Sequence, residues 1–146
     1  MIIRPVTPAD KGSWQHMRQG LWPDDGKHTK EIERFFASEL REPLEVLMAF
    51  DDQERAIGFI ELSIRPYAEG CVTNRVAFIE GWYVEPAWRG RGVGAALVKE
   101  AESWGRAQGC AELGSDAEVD NLASAAAHRA LGFEDAGVIR CFIKAI

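Results

Sequence analysis

The sequence predicts an α+β domain in which about four helices pack on a mixed central sheet, and three observations carry that prediction. Met1 to Val6 alternates apolar and polar residues as a strand does. Glu45 to Phe50 and Ala56 to Ile64 form a hairpin pattern around a polar turn. An apolar strand, Arg75 to Val84, runs through a glycine-rich turn into a helical repeat. Strand and helix signals are mixed along 146 residues, a length that buries roughly two thirds of the unfolded surface in one core. One domain is therefore expected over residues 1–146.

After the first strand, Thr7, Pro8 and Asp10 supply helix-start chemistry, and a helix is predicted to about Gly20. Leu21 to Gly26 is dense in turn formers, and Ile32, Phe35, Phe36 and Leu40 then recur at helical spacing. The hairpin turns through Asp51-Asp52-Gln53-Glu54, and a loop from Arg65 to Gly70 separates it from the central strand. A helix of about 24 Å is expected from Gly92 to Ala107, with Ala96, Leu97, Ala101 and Trp104 inward. Cys110 to Gly114 reads as a short strand. Asp120 or Asn121 caps the next helix, which Leu131-Gly132-Phe133 ends. Val138 to Ile143 is predicted as the last strand.

Composition narrows the function. The apolar fraction is 47%, and no stretch approaches the length of a membrane span, so a cytoplasmic protein without a membrane partner is expected. The net charge of −6 argues against nucleic acid and suits a cationic ligand, although solubility alone accounts for modest acidity. Cys71, Cys110 and Cys141 have no metal-ligand rhythm, so no metal is expected.

The segment from Val84 to Ala95 carries the clearest chemistry. Backbone N–H groups from Arg89 to Ala95 converge at a helix start, and glycines let phosphate oxygens approach the main chain. No Lys-Ser or Lys-Thr follows, which excludes a P-loop, and the spacing fits a dinucleotide fingerprint poorly. Arg89-x-x-Gly92-x-Gly94, entered through Tyr83-Val84 and Pro86, resembles the acyl-coenzyme A loop of the GNAT acetyltransferase superfamily. The strand Phe78 to Val84, and Asn121 followed by His128-Arg129-Ala130-Leu131-Gly132-Phe133, agree with that superfamily in the same order.

Within it, Leu21-Trp22-Pro23, Ser63-Ile64-Arg65, Phe78-Ile79-Glu80-Gly81 and Ser115-Asp116-Ala117 resemble the aminoglycoside 6'-N-acetyltransferases. The resemblance implies a GNAT fold, a homodimer and transfer of acetyl from acetyl-CoA to an aminoglycoside or other polycationic amine, which confers antibiotic resistance. It implies coenzyme contacts at Trp82, Tyr83, Val84, Arg89, Gly90, Arg91, Gly92, Val93, Gly94, Ala95 and Asn121. It implies acceptor contacts at Trp22, His28, Tyr67, Glu80 and Asp116.

The residues themselves add a physical constraint. An ammonium of pKa about 10 must shed a proton at a cost of about 4 kcal/mol near pH 7 before it attacks. Carboxylates oppose that by binding the cation, so Glu80 or Asp116 acts as a positioning group, as a base through water, or as both. Glu80 stands out because a lone carboxylate in the apolar run Val76 to Glu80 is costly. His128 occupies the superfamily's usual tyrosine position, where it serves as acid for sulfur, bonds the coenzyme or packs the helix. Direct attack is expected, since no cysteine is paired with a nearby base. Two other readings are an acetyltransferase for a polyamine or peptide, and a non-catalytic acyl-CoA sensor.

Overall fold

Five strands form one sheet in the order β1-β2-β3-β4-β5, in a computed structural model that describes residues 1–146. The strands are β1 (Ile2–Pro5), β2 (Glu45–Phe50), β3 (Ala56–Arg65), β4 (Val76–Val84) and β5 (Leu113–Ser115). The first four pair antiparallel, and β5 alone runs parallel to β4. The helices are α1 (Lys11–Leu21), α2 (His28–Phe36), α3 (Val93–Ala107) and α4 (Leu122–Ala130). The expected mixed sheet with four helices is what forms.

Each face of the sheet buries its own apolar set. On one face Trp14 and Met17 of α1 and Ile32 of α2 meet Val46, Met48 and Phe59. On the other, Val93, Leu97, Val98 and Ala101 of α3 meet Leu47, Ile60, Leu62 and Ile79. At roughly 25 cal/mol per Å² of apolar surface, these two layers supply the main favourable term in folding. Asp10 ties β1 to α1: Arg4 donates to it at 2.8 and 3.1 Å and holds its carboxyl down to about 2.

Two departures from regular pairing shape the site. Glu61 faces Gly81 across the β3–β4 pair, yet the next residue, Leu62, faces Ile79, so Glu80 is an extra residue in β4. Such a bulge reverses the alternation beyond it. Ile79 joins the α3 layer before the bulge and Trp82 joins it after, whereas Tyr83 joins the α1 layer. The second departure is a splay. The β4–β5 pairs stop at Ile79–Ser115, while β4 continues to Val84.

Several predicted boundaries move. The second helix stops at Phe36 rather than Leu40, because Ser38 turns left-handed (φ 58°) and the Glu39 N–H returns to the Arg34 carbonyl at 3.0 Å. β5 begins at Leu113, later than expected. Val138 to Ile143 is not a strand: residues 133–146 have no regular structure, and no neighbouring strand accepts their backbone bonds. No helix is long and apolar enough to cross a membrane.

Candidate active site

β4 delivers the chain to a loop whose backbone turns back on itself twice. After the short 3-10 turn Pro86–Trp88, Gly90 and Gly92 adopt φ of 72° and 83°, conformations that cost other residues free energy. Gly92 caps α3, whose first intrahelical bond runs from the Ala96 N–H to the Gly92 carbonyl at 3.0 Å. The N–H groups of Val93, Gly94 and Ala95 therefore lack helical partners and add to the positive end of a 15-residue helix. A Cβ built at Gly90 or Gly92 would meet nothing within 4 Å, so this surface is open. Arg91 lies over Trp88, with 5.3 Å to the ring centroid. Arg89 folds back instead: its Nε donates to the Val84 carbonyl at 2.9 Å and its cation lies over Tyr83.

The loop opens onto the splay. The Trp82 ring lies 3.0 Å from a Cβ built at Gly94, and its indole N–H is buried without a protein partner. Beyond Ile79 the β5-facing edge of β4 has no neighbouring strand, which leaves main-chain groups for an extended ligand. An anion cradle, a free strand edge and an orphaned donor lie in one line and fit a long, phosphate-bearing coenzyme. Asn121 spends its side-chain oxygen on the Ser124 N–H at 3.0 Å as the cap of α4.

A second cavity of about 610 Å³ opens on the α1 side of β4. Trp22, Asp24, Asp25, Glu42, Glu61 and Glu80 line it, with Arg18 as its cation. Trp22 reaches the strand because Gly81 has no side chain: a Cβ there would stand 2.6 Å from the ring. Glu80 accepts hydrogen bonds from Ser63 and from Arg65, the latter at 2.9 and 2.7 Å. Arg65 lies over the Phe78 ring at 3.8 Å, and the bond to Glu80, more than the charges of Glu42 and Asp116, raises its pKa.

Beneath Trp22 lies a buried ionic cluster. Arg18 donates to Glu61 at 2.7 Å and to Glu31 at 2.7 Å, and Trp14 Nε1 donates to Glu61 at 2.9 Å. Burial raises the Glu61 pKa against the opposing pull of Arg18. Burial works to lower that of Arg18, but the two carboxylates raise it overall.

The sequence profile of the acetyltransferase (GNAT) family matches residues 13–133. The chain belongs to the GNAT acetyltransferase family. An aminoglycoside N(6')-acetyltransferase type 1 of Klebsiella aerogenes is 49% identical over 145 residues, covering 98% of this chain and 95% of the relative. One of the same description from Stenotrophomonas maltophilia is 42% identical, covering 91% and 86%. The crystal structure of the aminoglycoside 6'-N-acetyltransferase of Acinetobacter haemolyticus superposes with a TM-score of 0.91 at 38% identity, covering 100% of this chain and 99% of that one. The acetyltransferase AAC(6')-Iy, solved with a bisubstrate analogue of coenzyme A and acetylneamine, gives 0.89 at 33% identity, covering 99% and 98%.

In this GNAT domain Trp82 and Val84 pack on the α3 side of β4 and Tyr83 on the α1 side, while Trp22 and Glu80 line the acidic cavity. Three expected acceptor contacts do not line the cavity: His28, Tyr67 and Asp116, the last of which follows Ser115 at the end of β5. His28 is 4% exposed and both ring nitrogens face the protein, with Nε2 2.9 Å from the Trp22 carbonyl and Nδ1 3.4 Å from Arg18. It supports Trp22 from below instead of touching the cavity. Tyr67 is exposed on the loop after β3, where Glu69 raises its pKa. Arg18, Glu42, Glu61 and Arg65 were missed. Glu61 sits in the apolar run Phe59 to Leu62 as Glu80 sits in its own, so the same signal could have found it.

Proposed function

We propose that this acetyltransferase transfers acetyl from acetyl-CoA to the 6'-amine of an aminoglycoside by direct attack in a ternary complex. The observation that carries the reading is the carboxylate-rich cavity under Trp22, placed across β4 from the anion cradle of Gly90 to Ala95. Acetyl-CoA supplies an activated thioester when bound. The α3 N-terminus binds its pyrophosphate, the free edge of Trp82 to Val84 pairs with its amide arm, and a main-chain N–H there polarises the carbonyl.

Glu80, held by Ser63 and Arg65, keeps a fixed geometry and orients the acceptor ammonium together with Asp116. Asp116 makes no such bonds in the protein and is the freer of the two to accept the amine's proton through a water. Cys71, Cys110 and Cys141 do not line the acceptor cavity, which supports attack without an acetyl-cysteine. Acetylation removes one positive charge and so weakens the drug's hold on ribosomal RNA phosphates, the basis of resistance in the cytoplasm.

Coenzyme A release should be followed with kanamycin, tobramycin, spermidine and short peptides as acceptors. Turnover of the two aminoglycosides with kcat/KM at least about 100-fold above spermidine or peptide is expected, given the number of charges the cavity pairs. Preference for spermidine or peptide would move the assignment to another amine. Acetyl-CoA binding with no release would make the chain a sensor.

The reading includes a homodimer. Val138, Phe142 and Ile143 are 75%, 88% and 100% exposed on the irregular terminal segment. A groove of about 740 Å³ runs along Cys110 to Ser115 at the open edge of the sheet. A terminal segment from a second copy would cover that edge and bury its own apolar side chains. Light scattering on the eluting protein should give twice the chain mass, and truncation after Ala136 should abolish the dimer. A full-length monomer at micromolar concentration would refute this.

A further inference from the structure

Ser115 of β5 and His128 of α4 form a polar pair with a fixed direction of hydrogen bonding. His128 Nδ1 is 2.7 Å from the Ser124 carbonyl. A carbonyl only accepts, so the ring proton resides on Nδ1 and the Nε2 lone pair is free. That lone pair faces the Ser115 hydroxyl at 2.7 Å, and the hydroxyl donates. Trp82 and Phe133 pack against the imidazole with centroids 5.2 and 5.1 Å away, which prevents the ring from swinging out. A hydroxyl, a base behind it and a third group that orients the base form an arrangement suited to moving protons.

Its location gives the pair a task. Ser115 ends β5 opposite Ile79, the last pair before the strands part. From the α3 N-terminus the line Gly94, Trp82, His128, Ser115 leads to that point. Ser115 and His128 would face the thioester end of a coenzyme whose phosphates were held at the loop. Glu80 and Asp116 follow Ile79 and Ser115 in the chain, so the acceptor side begins one residue further on.

We propose that Ser115 is a catalytic proton carrier for acetyl transfer and that His128 is the positioning residue and proton store behind it; this rests on the acetyltransferase reading. The amine nitrogen bonds to the thioester carbon, and its excess proton passes to the Ser115 oxygen as the Ser115 proton passes to His128 Nε2. The C–S bond then breaks with its electron pair on sulfur. The stored proton returns from His128 through Ser115 to that sulfur. Amide and thiol result, and both side chains regain their starting protons.

The test compares Ser115→Ala and Ser115→Thr with wild type on an aminoglycoside from pH 7 to 9. The groups in contact with His128 are Ser115 of β5, Ser124 of α4, Trp82 of β4 and Phe133, with Asp116 adjoining Ser115 and facing Arg65. Over this range the rising pH is read chiefly on the departing thiol, which ionises at about 8.5 and then leaves without a proton. Ser115→Ala should lower kcat about 30-fold or more at pH 7 with both KM values within about twofold. The deficit should shrink at pH 9, and Ser115→Thr should recover most of the rate.

Imidazole ¹⁵N spectra should show the Nδ1–H form of His128 in wild type and in Ser115→Ala alike, because Ser124 fixes it. A wild-type kcat in Ser115→Ala, a deficit equal at both pH values, or a loss confined to the KM of acetyl-CoA would overturn the relay while leaving the acetyltransferase intact. A wild type that releases no coenzyme with any amine would overturn both.

Discussion

Replacing Gly92 by aspartate is expected to raise the acetyl-CoA Kd at least about 100-fold while the protein stays folded. Gly92 has φ of 83°, so any side chain there costs about 1 kcal/mol. A Cβ at this position meets nothing within 4 Å, which rules out a steric collapse. An aspartate at a helix N-cap also returns part of the cost by bonding first-turn N–H groups. The damage falls on the ligand. A carboxylate about 5 Å from a pyrophosphate charge at an effective dielectric of about 20 repels it by about 3 kcal/mol, more than a hundredfold in affinity. Calorimetric titration with acetyl-CoA, paired with a thermal melt, measures the two effects separately. Unchanged affinity in a folded variant would remove the loop from the coenzyme site.

Glu61→Ala is expected to cost about 3–5 kcal/mol of stability, because it breaks a buried ion pair and leaves one charge behind. The substitution leaves Arg18, 4% exposed, with only the part-exposed Glu31 as anion, and leaves the Trp14 indole N–H unpaired. At about 2–4 °C per kcal/mol the melting temperature falls by about 10 °C. Glu61→Gln keeps an acceptor for Trp14 and should lose less. Urea unfolding at neutral pH measures both variants, and a loss below about 1 kcal/mol for Glu61→Ala would show that the cluster contributes little net energy. Because Arg18 lies under Trp22, at 5.0 Å from its ring, the same change loosens the acceptor wall.

Local signals fixed the elements that carry their own chemistry. β2 occupies the residues expected of it, and α3 begins one residue past its cap at Gly92, because alternation and glycine placement act within a few residues. The glycine-rich loop was legible for the same reason: its turn and the helix start behind it are built by consecutive residues. The acceptor side depends on residues far apart. The family resemblance implied His28 as an acceptor contact, but the fold turns its ring nitrogens to the Trp22 carbonyl and to Arg18. Arg65 reads as the start of a loop, but β3 extends through it, and only the β3–β4 pairing brings it to Glu80. The terminal segment has strand-like alternation but lacks a strand to pair with within its own chain.

The extra residue at Glu80 bears on which substitutions the strand tolerates. A strand with unbroken alternation would give every second residue to one neighbour along its whole length. Here the change of phase lets adjacent positions answer to different molecules: Glu80 and Gly81 to the acceptor cavity, Trp82 to the coenzyme line. Substitutions at the middle of the strand can therefore alter the acidic cavity while leaving the packing of Trp82 against α3 in place. Deleting one residue there would bring the two demands into conflict at once.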